Sequence, residues 1–465
     1  MKIEQLYTNC LAEAAYYIES EGEAIIIDPL RETDPYIRKA EENKAKIKYI
    51  FETHFHADFV SGHVDLAKKT GAIIVYGPTA NPSFTCHVAK DGELFQLGKI
   101  SITVLHTPGH TMESVSYLLK DENGKETALF TGDTLFIGDV GRPDLAVKSD
   151  LTEKDLAGLL YDSLRNKIMT LPDDVIIYPA HGAGSACGKN ISKETFSTLG
   201  EQKKSNYALQ NISREEFIDE LTTGILPAPQ YFAKNAMLNK NGYDSIDEVI
   251  SRGNVALSLD DFATQMANGA MVLDVRKKED FAAAHIPGSM YIGIDGQFAV
   301  WVGALIKDLN QPIILITPEG REEETVLRLA RVGYDHCKGF LKGGFATWKE
   351  AGKATASVEQ ISAENLEQMV RDVTIVDVRK PGEFSAEHVE NALSMPLDYI
   401  NEKMDSLQKN EKYYVHCKSG YRSMIAVSIL KRNGFTQLVD VIGGFDAIAK
   451  TKAPVTAYVC PSTLK

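Results

Sequence analysis

Thr53-His54-Phe55-His56-Ala57-Asp58 follows a short apolar run, Ile47 to Phe51, and sets two imidazoles and a carboxylate just past a predicted strand. The same arrangement recurs downstream. Thr107-Pro108-Gly109-His110-Thr111 follows Ile100 to Leu105, Thr131-Gly132-Asp133 follows Ala128 to Phe130, and Pro179-Ala180-His181-Gly182 follows Val175 to Tyr178. In open sheets the loops at strand ends are where ligands converge. A single surface histidine carries no information, but imidazoles and carboxylates arriving as an ordered set are the donors of a metal site. Helical periodicity fills the gaps, from Asp58 to Lys69 ending at Gly71 and from Thr152 to Met169 ending before Pro172, so the region reads as α/β.

The ordered set resembles that of the metallo-β-lactamase superfamily, which implies an N-terminal αββα sandwich. Hydrolases of that superfamily such as glyoxalase II hold two ions, the second through the aspartate at position 58 and a histidine at the next position. Here that position is Phe59. Losing one imidazole weakens a second site, whereas His54, His110 and Asp133 still form the two-histidine, one-carboxylate set that leaves positions open on ferrous iron. One Fe(II) per chain is the expected cofactor, with zinc as the alternative.

The string Glu52 to His63, with Phe59 in place and Ser61-Gly62-His63 following, together with Gly138-Asp139-Val140-Gly141-Arg142-Pro143-Asp144-Leu145, resembles persulfide dioxygenases fused to rhodanese domains. The resemblance covers nearly the whole chain. It implies iron on His54, His110 and Asp133, with His56, Asp58 and His181 behind them orienting ligands or water; in the alternative, His56 and His181 also ligate. Arg142, in a loop shortly after Asp133, is expected to clamp the carboxylate of a thiol carrier. Simpler glutathione-persulfide dioxygenases carry a tyrosine soon after the equivalent of His181, but here the run is His181-Gly182-Ala183-Gly184-Ser185-Ala186-Cys187, so glutathione is not carried over as the thiol. Cys187 is expected as a packed, inert thiol.

The second half of the chain contains an internal repeat. Val272-Leu273-Asp274-Val275-Arg276 recurs as Ile375-Val376-Asp377-Val378-Arg379, His285 as His388, and Gly343-Gly344-Phe345 as Gly443-Gly444-Phe445. Two copies imply two parallel-sheet α/β domains. In the second copy a strand ending at His416 runs into Cys417-Lys418-Ser419-Gly420-Tyr421-Arg422-Ser423 and then a helical stretch, which puts a thiol on a loop at a helix N-terminus. Loop amides, the helix dipole and the cations Lys418 and Arg422 suit a cysteine persulfide. The C-x-x-G-x-R loop resembles that of rhodaneses, which implies Cys417 and Arg422 as catalytic groups and Lys418, Ser419, Gly420 and Tyr421 around the substrate. Asp377 and Arg379 are read as a structural ion pair. The first copy has Thr317-Pro318-Glu319-Gly320-Arg321-Glu322-Glu323 at the equivalent place, without a thiol, and is expected to be catalytically silent.

With 465 residues, against roughly 150 per domain, about three domains are expected. The boundaries are set at 1–250, 251–355 and 356–465. A formal charge of −14 argues against non-specific nucleic acid binding. No apolar run approaches the roughly 18 residues that cross a bilayer, and the six scattered cysteines suit reduced thiols, so the cytoplasm is the expected compartment. The fused-family resemblance implies oxidation of a small-molecule persulfide to sulfite with dioxygen, then sulfur transfer between the Cys417 persulfide and sulfite or thiosulfate, by a homo-oligomer that clears sulfide equivalents. The alternatives are a zinc thioester hydrolase of the glyoxalase II type fused to a sulfurtransferase, and a sulfur-relay scaffold whose first domain is merely structural.

Overall fold

The computed structural model describes residues 1–145 and 151–460; positions 461–465 of the expected third domain lie outside the described residues. The chain divides into two compact units, residues 1–246 with 330–333, and residues 247–329 with 334–465.

The first unit contains two six-stranded sheets. In one, Lys2–Thr8, Glu13–Ser20 and Glu23–Ile27 pair antiparallel, and Lys46–Phe51, Ile73–Tyr76 and His87–Val88 continue it in parallel. In the other, Leu94–Leu97, Ile100–His106, Val115–Lys120 and Glu126–Gly132 form an antiparallel meander, to which Ile176–Pro179 adds in parallel and Ser197–Thr198 then antiparallel. Because successive strand side chains face opposite ways, Tyr16, Ile18, Ile25, Ile27 and Phe51 point between the sheets to meet Tyr117, Leu119 and Phe130. Their neighbours Ala15, Tyr17, Ala24 and Ile26 point outward to Tyr36, Ala40 and Leu66. Leu129 and Ile177 do the same on the far side, against Leu160 of the helix Glu153–Ser163. Helices therefore cover both outer faces, and the expected αββα sandwich is what the sequence forms.

Two local departures bear on the site. The helix expected from Asp58 begins at His63, because Thr53 to Gly62 stays as a loop that carries the ligands. The strands Lys2–Thr8 and Glu13–Ser20 are additional to those the apolar runs indicate.

The second unit holds two five-stranded parallel sheets with the same strand order. Ala256–Leu257, Cys337–Leu341, Ile313–Ile316, Met271–Asp274 and Met290–Tyr291 make the first; Glu359–Ile361, Leu438–Val441, Tyr413–His416, Thr374–Asp377 and Leu393–Ser394 make the second. The repeat extends to single atoms. Arg276 pairs with Asp274 and lies over Phe345 as Arg379 pairs with Asp377 and lies over Phe445. His285 Nδ1 meets the Phe281 carbonyl as His388 Nδ1 meets that of Phe384.

Candidate metal centre and candidate thiol site

Each metal candidate leaves the end of a strand of the sandwich and is buried there. The ligand atoms of His54, His110 and Asp133 lie within 4.8 Å of one another, with His110 Nε2 3.3 Å and His54 Nε2 3.9 Å from Asp133 Oδ2. A second set, His56, Asp58 and His181, is equally close, and His181 Nε2 stands 3.4 Å from Asp58 and 3.5 Å from Asp133. His110 Nε2, His181 Nε2, Asp58 Oδ1 and both Asp133 oxygens are buried without a hydrogen-bond partner among the described residues. A buried carboxylate or imidazole left unsatisfied costs free energy. Donors that converge in this way fit a cation.

The imidazoles are oriented from behind. His110 Nδ1 lies 2.8 Å from the Arg142 carbonyl, His181 Nδ1 3.1 Å from that of Ala12, and His54 Nδ1 3.0 Å from Thr53 Oγ1. For His110 and His181 the proton is thus held on Nδ1, and the Nε2 lone pair faces the centre. Burial, reinforced by His56, His110 and His181, pushes His54 well below the ordinary imidazole range, which keeps it in the neutral, metal-competent form. At His181 burial acts downward, but Asp58 and Asp133 outweigh it and raise the value.

Asp28 and Glu52 support this loop. Asp28, in the left-handed region at φ 49°, accepts from Thr53 N at 2.7 Å and Oγ1 at 2.8 Å and approaches His56 Nε2 at 3.1 Å. Glu52 accepts from Ser61 Oγ at 2.6 Å. Neither was singled out from sequence, although a charged residue closing an apolar strand is the available signal. Gly141 admits no side chain: a Cβ there would fall 2.0 Å from the Asp133 carbonyl and 3.0 Å from His110 Nδ1. Cys187 lies beside Asp133 and His181, and burial, with the Asp58 and Asp133 carboxylates, pushes its thiol well up and keeps it protonated.

Arg142, expected to clamp a substrate carboxylate, is already engaged within the protein. Its guanidinium is buried, forks onto Asp144 at 2.6 and 2.7 Å, and donates to the carbonyls of Ala186 and Leu226. With those bonds made it ties the loop down, and a substrate carboxylate would have to displace Asp144.

In the second repeat, Tyr413–His416 delivers Cys417 to a loop that ends at the helix Tyr421–Arg432. The Gly420 N–H donates to Cys417 Sγ at 3.1 Å, with Gly420 at φ 99°. Phe445 N and Asp446 N hold the Cys417 and Lys418 carbonyls, and a Cβ on Gly444 would fall 2.4 Å from the first of these, which is why the Gly-Gly-Phe repeat abuts the loop. Arg422 forks onto Glu383 at 2.6 and 2.9 Å. Lys418 and Ser419 are exposed. The Tyr421 side chain turns away, its hydroxyl donating to the Gly293 carbonyl at 2.7 Å, so only its backbone remains at the loop. In the first repeat Arg321 is paired with Glu324 and Asp295, and Cys337 sits on a buried strand with burial raising its thiol to about 12.

Sandwich, convergent buried histidines and tandem parallel sheets define a metal-binding fold joined to two α/β domains, one of which carries a thiol on a strand-to-helix loop. The family model described as the metallo-beta-lactamase superfamily matches residues 8–181, and the rhodanese-like domain matches residues 258–351 and 362–451. The hydroxyacylglutathione hydrolase, cytoplasmic, of Arabidopsis thaliana is 33% identical over 186 residues, 39% of this chain and 67% of that protein. The mitochondrial persulfide dioxygenase ETHE1 of Homo sapiens is 32% identical over 210 residues, 45% of this chain and 74% of that protein. A solved metallo-beta-lactamase from Staphylococcus aureus subsp. aureus COL superposes with a TM-score of 0.65 at 32% identity, covering 74% of this chain and 98% of that one. The chain belongs to the metallo-beta-lactamase superfamily, and its two rhodanese-like domains fit the expected fusion. No helix among the described residues is long and apolar enough to cross a membrane.

Proposed function

We propose that the first unit is a persulfide dioxygenase holding one ferrous iron on His54, His110 and Asp133, and that the second is a sulfurtransferase acting through Cys417. The observation that carries the reading is the convergence of those three buried donors, two histidines and one carboxylate, with Phe59 in place of a histidine after Asp58. Iron, when bound, supplies open coordination positions and the redox chemistry that dioxygen requires. The protein's own residues fix the donors, through the Arg142 carbonyl and Thr53, and exclude bulk water by burial. In the overall reaction dioxygen is the oxidant, the outer sulfur of the persulfide is oxidised to sulfite, water supplies the remaining oxygen, and the thiol is released.

At the second site the outer sulfur of a Cys417 persulfide is taken by sulfite. The sulfite lone pair forms the new S–S bond, the bond to Sγ breaks, and Cys417 leaves as a thiolate that the Gly420 N–H and the helix N-terminus stabilise. The Cys417→Ser variant, loaded with ferrous iron and given a persulfide, should consume dioxygen at the wild-type rate, accumulate sulfite and form no thiosulfate. Thiosulfate at wild-type yield would refute the role of Cys417.

One observation favours a second reading. His56, Asp58 and His181 form a further set of close donors, and a zinc thioester hydrolase would use it. Two zinc ions per chain and thioester cleavage under nitrogen would decide for that alternative.

A further inference from the structure

The silent rhodanese-like domain is shaped around the active loop of its twin. Gly296 leaves room for the Tyr421 ring, since a Cβ there would fall 2.2 Å from it, while a Cβ on Gly293 would meet the Tyr291 hydroxyl at 2.4 Å and the Tyr421 ring at 3.2 Å. Tyr291 N donates to Ser428 Oγ at 3.0 Å, and Asn401 donates to the Leu305 carbonyl at 2.9 Å. At this junction Lys278, the first residue of the helix Lys278–Ala283, reaches the Cys417 loop. Its ammonium lies 3.4 Å from the Ser419 carbonyl and 3.1 Å from where a Cβ on Gly420 would stand, and the Gly420 N–H is the group that meets Cys417 Sγ.

The charge around the loop makes this placement matter. Arg422 is neutralised by Glu383, and Asp440 lies buried beneath the helix start, bonded to Ser423 and Gln360. Lys418 is exposed. Glu279 touches Lys278 at 3.4 Å, but that pair is solvated and weak. An incoming sulfur oxyanion therefore needs a cation close to the thiol and free to turn toward it.

We propose that Lys278 is a specificity-determining residue lent by the silent domain, recognising the sulfur oxyanion, sulfite or thiosulfate, that exchanges sulfur with Cys417. The inference rests on the sulfurtransferase reading. The test uses the full-length chain with Cys417 loaded as a persulfide, discharged either to sulfite or to uncharged dithiothreitol. Lys278→Ala should raise KM for sulfite about tenfold with kcat little changed, as a lost charge contact of this kind implies. Discharge to dithiothreitol should be unaltered, and Lys278→Arg should restore the sulfite KM. A sulfite KM unchanged in Lys278→Ala, or sulfite and dithiothreitol discharge falling together, overturns the inference alone. A wild-type chain in which Cys417 never carries sulfur overturns the sulfurtransferase reading as well.

Discussion

At His110 and His181 a backbone carbonyl holds Nδ1 and so decides which nitrogen faces the metal centre. That carbonyl at His110 belongs to Arg142, whose side chain is spent on Asp144, Ala186 and Leu226. Arg142 thus acts through its backbone, with its guanidinium as an anchor. Arg142→Ala should destabilise the first unit by about 3 kcal/mol, the order expected when a buried charge loses its partner, as read by chemical denaturation. A substrate clamp would instead raise KM with stability unchanged. The residue types at the centre were readable because metal chemistry restricts them to histidine and carboxylate. Asp28, Glu52 and the commitment of Arg142 were not, since each depends on contacts between distant stretches of chain.

Among the elements, strands with apolar runs were legible, and so was the thiol loop between strand and helix. Glu13–Ser20 was missed because it is buried on both faces and lacks alternation. The helix start at His63 was misplaced because the ligand loop shares the periodicity of the helix it feeds. The helix Pro381–Ala386 supplies Glu383 to Arg422. Burial pushes the Glu383 carboxyl up, but Arg422 draws it down further, leaving it below its usual value of 4.5. A carboxyl depressed in the fold contributes stability above its unfolded value and loses it as pH falls through the folded one. The stability advantage of wild type over Glu383→Gln should therefore be constant near neutrality and shrink below about pH 4.5. An advantage persisting undiminished to about pH 3 would show that the ion pair is not its source.

For the molecule as a whole, one chain carries both the proposed sulfite producer and the proposed sulfite consumer, which fixes their ratio at unity. The repeat that marked the tandem domains was visible in sequence because the Asp-Val-Arg turn and the Gly-Gly-Phe close approach restrict residue type. The approach of the first copy to the thiol loop of the second was invisible, since Lys278 and Gly420 meet only in the fold. The central claim is that His54, His110 and Asp133 hold one iron that makes persulfide oxidation depend on dioxygen. The most direct test is dioxygen uptake, with iron counted per chain, by wild type and His110→Ala reconstituted anaerobically and given a persulfide. One iron and rapid uptake in wild type, with both lost in His110→Ala while Cys417 still transfers sulfur, is the predicted result; uptake unchanged in His110→Ala would contradict it.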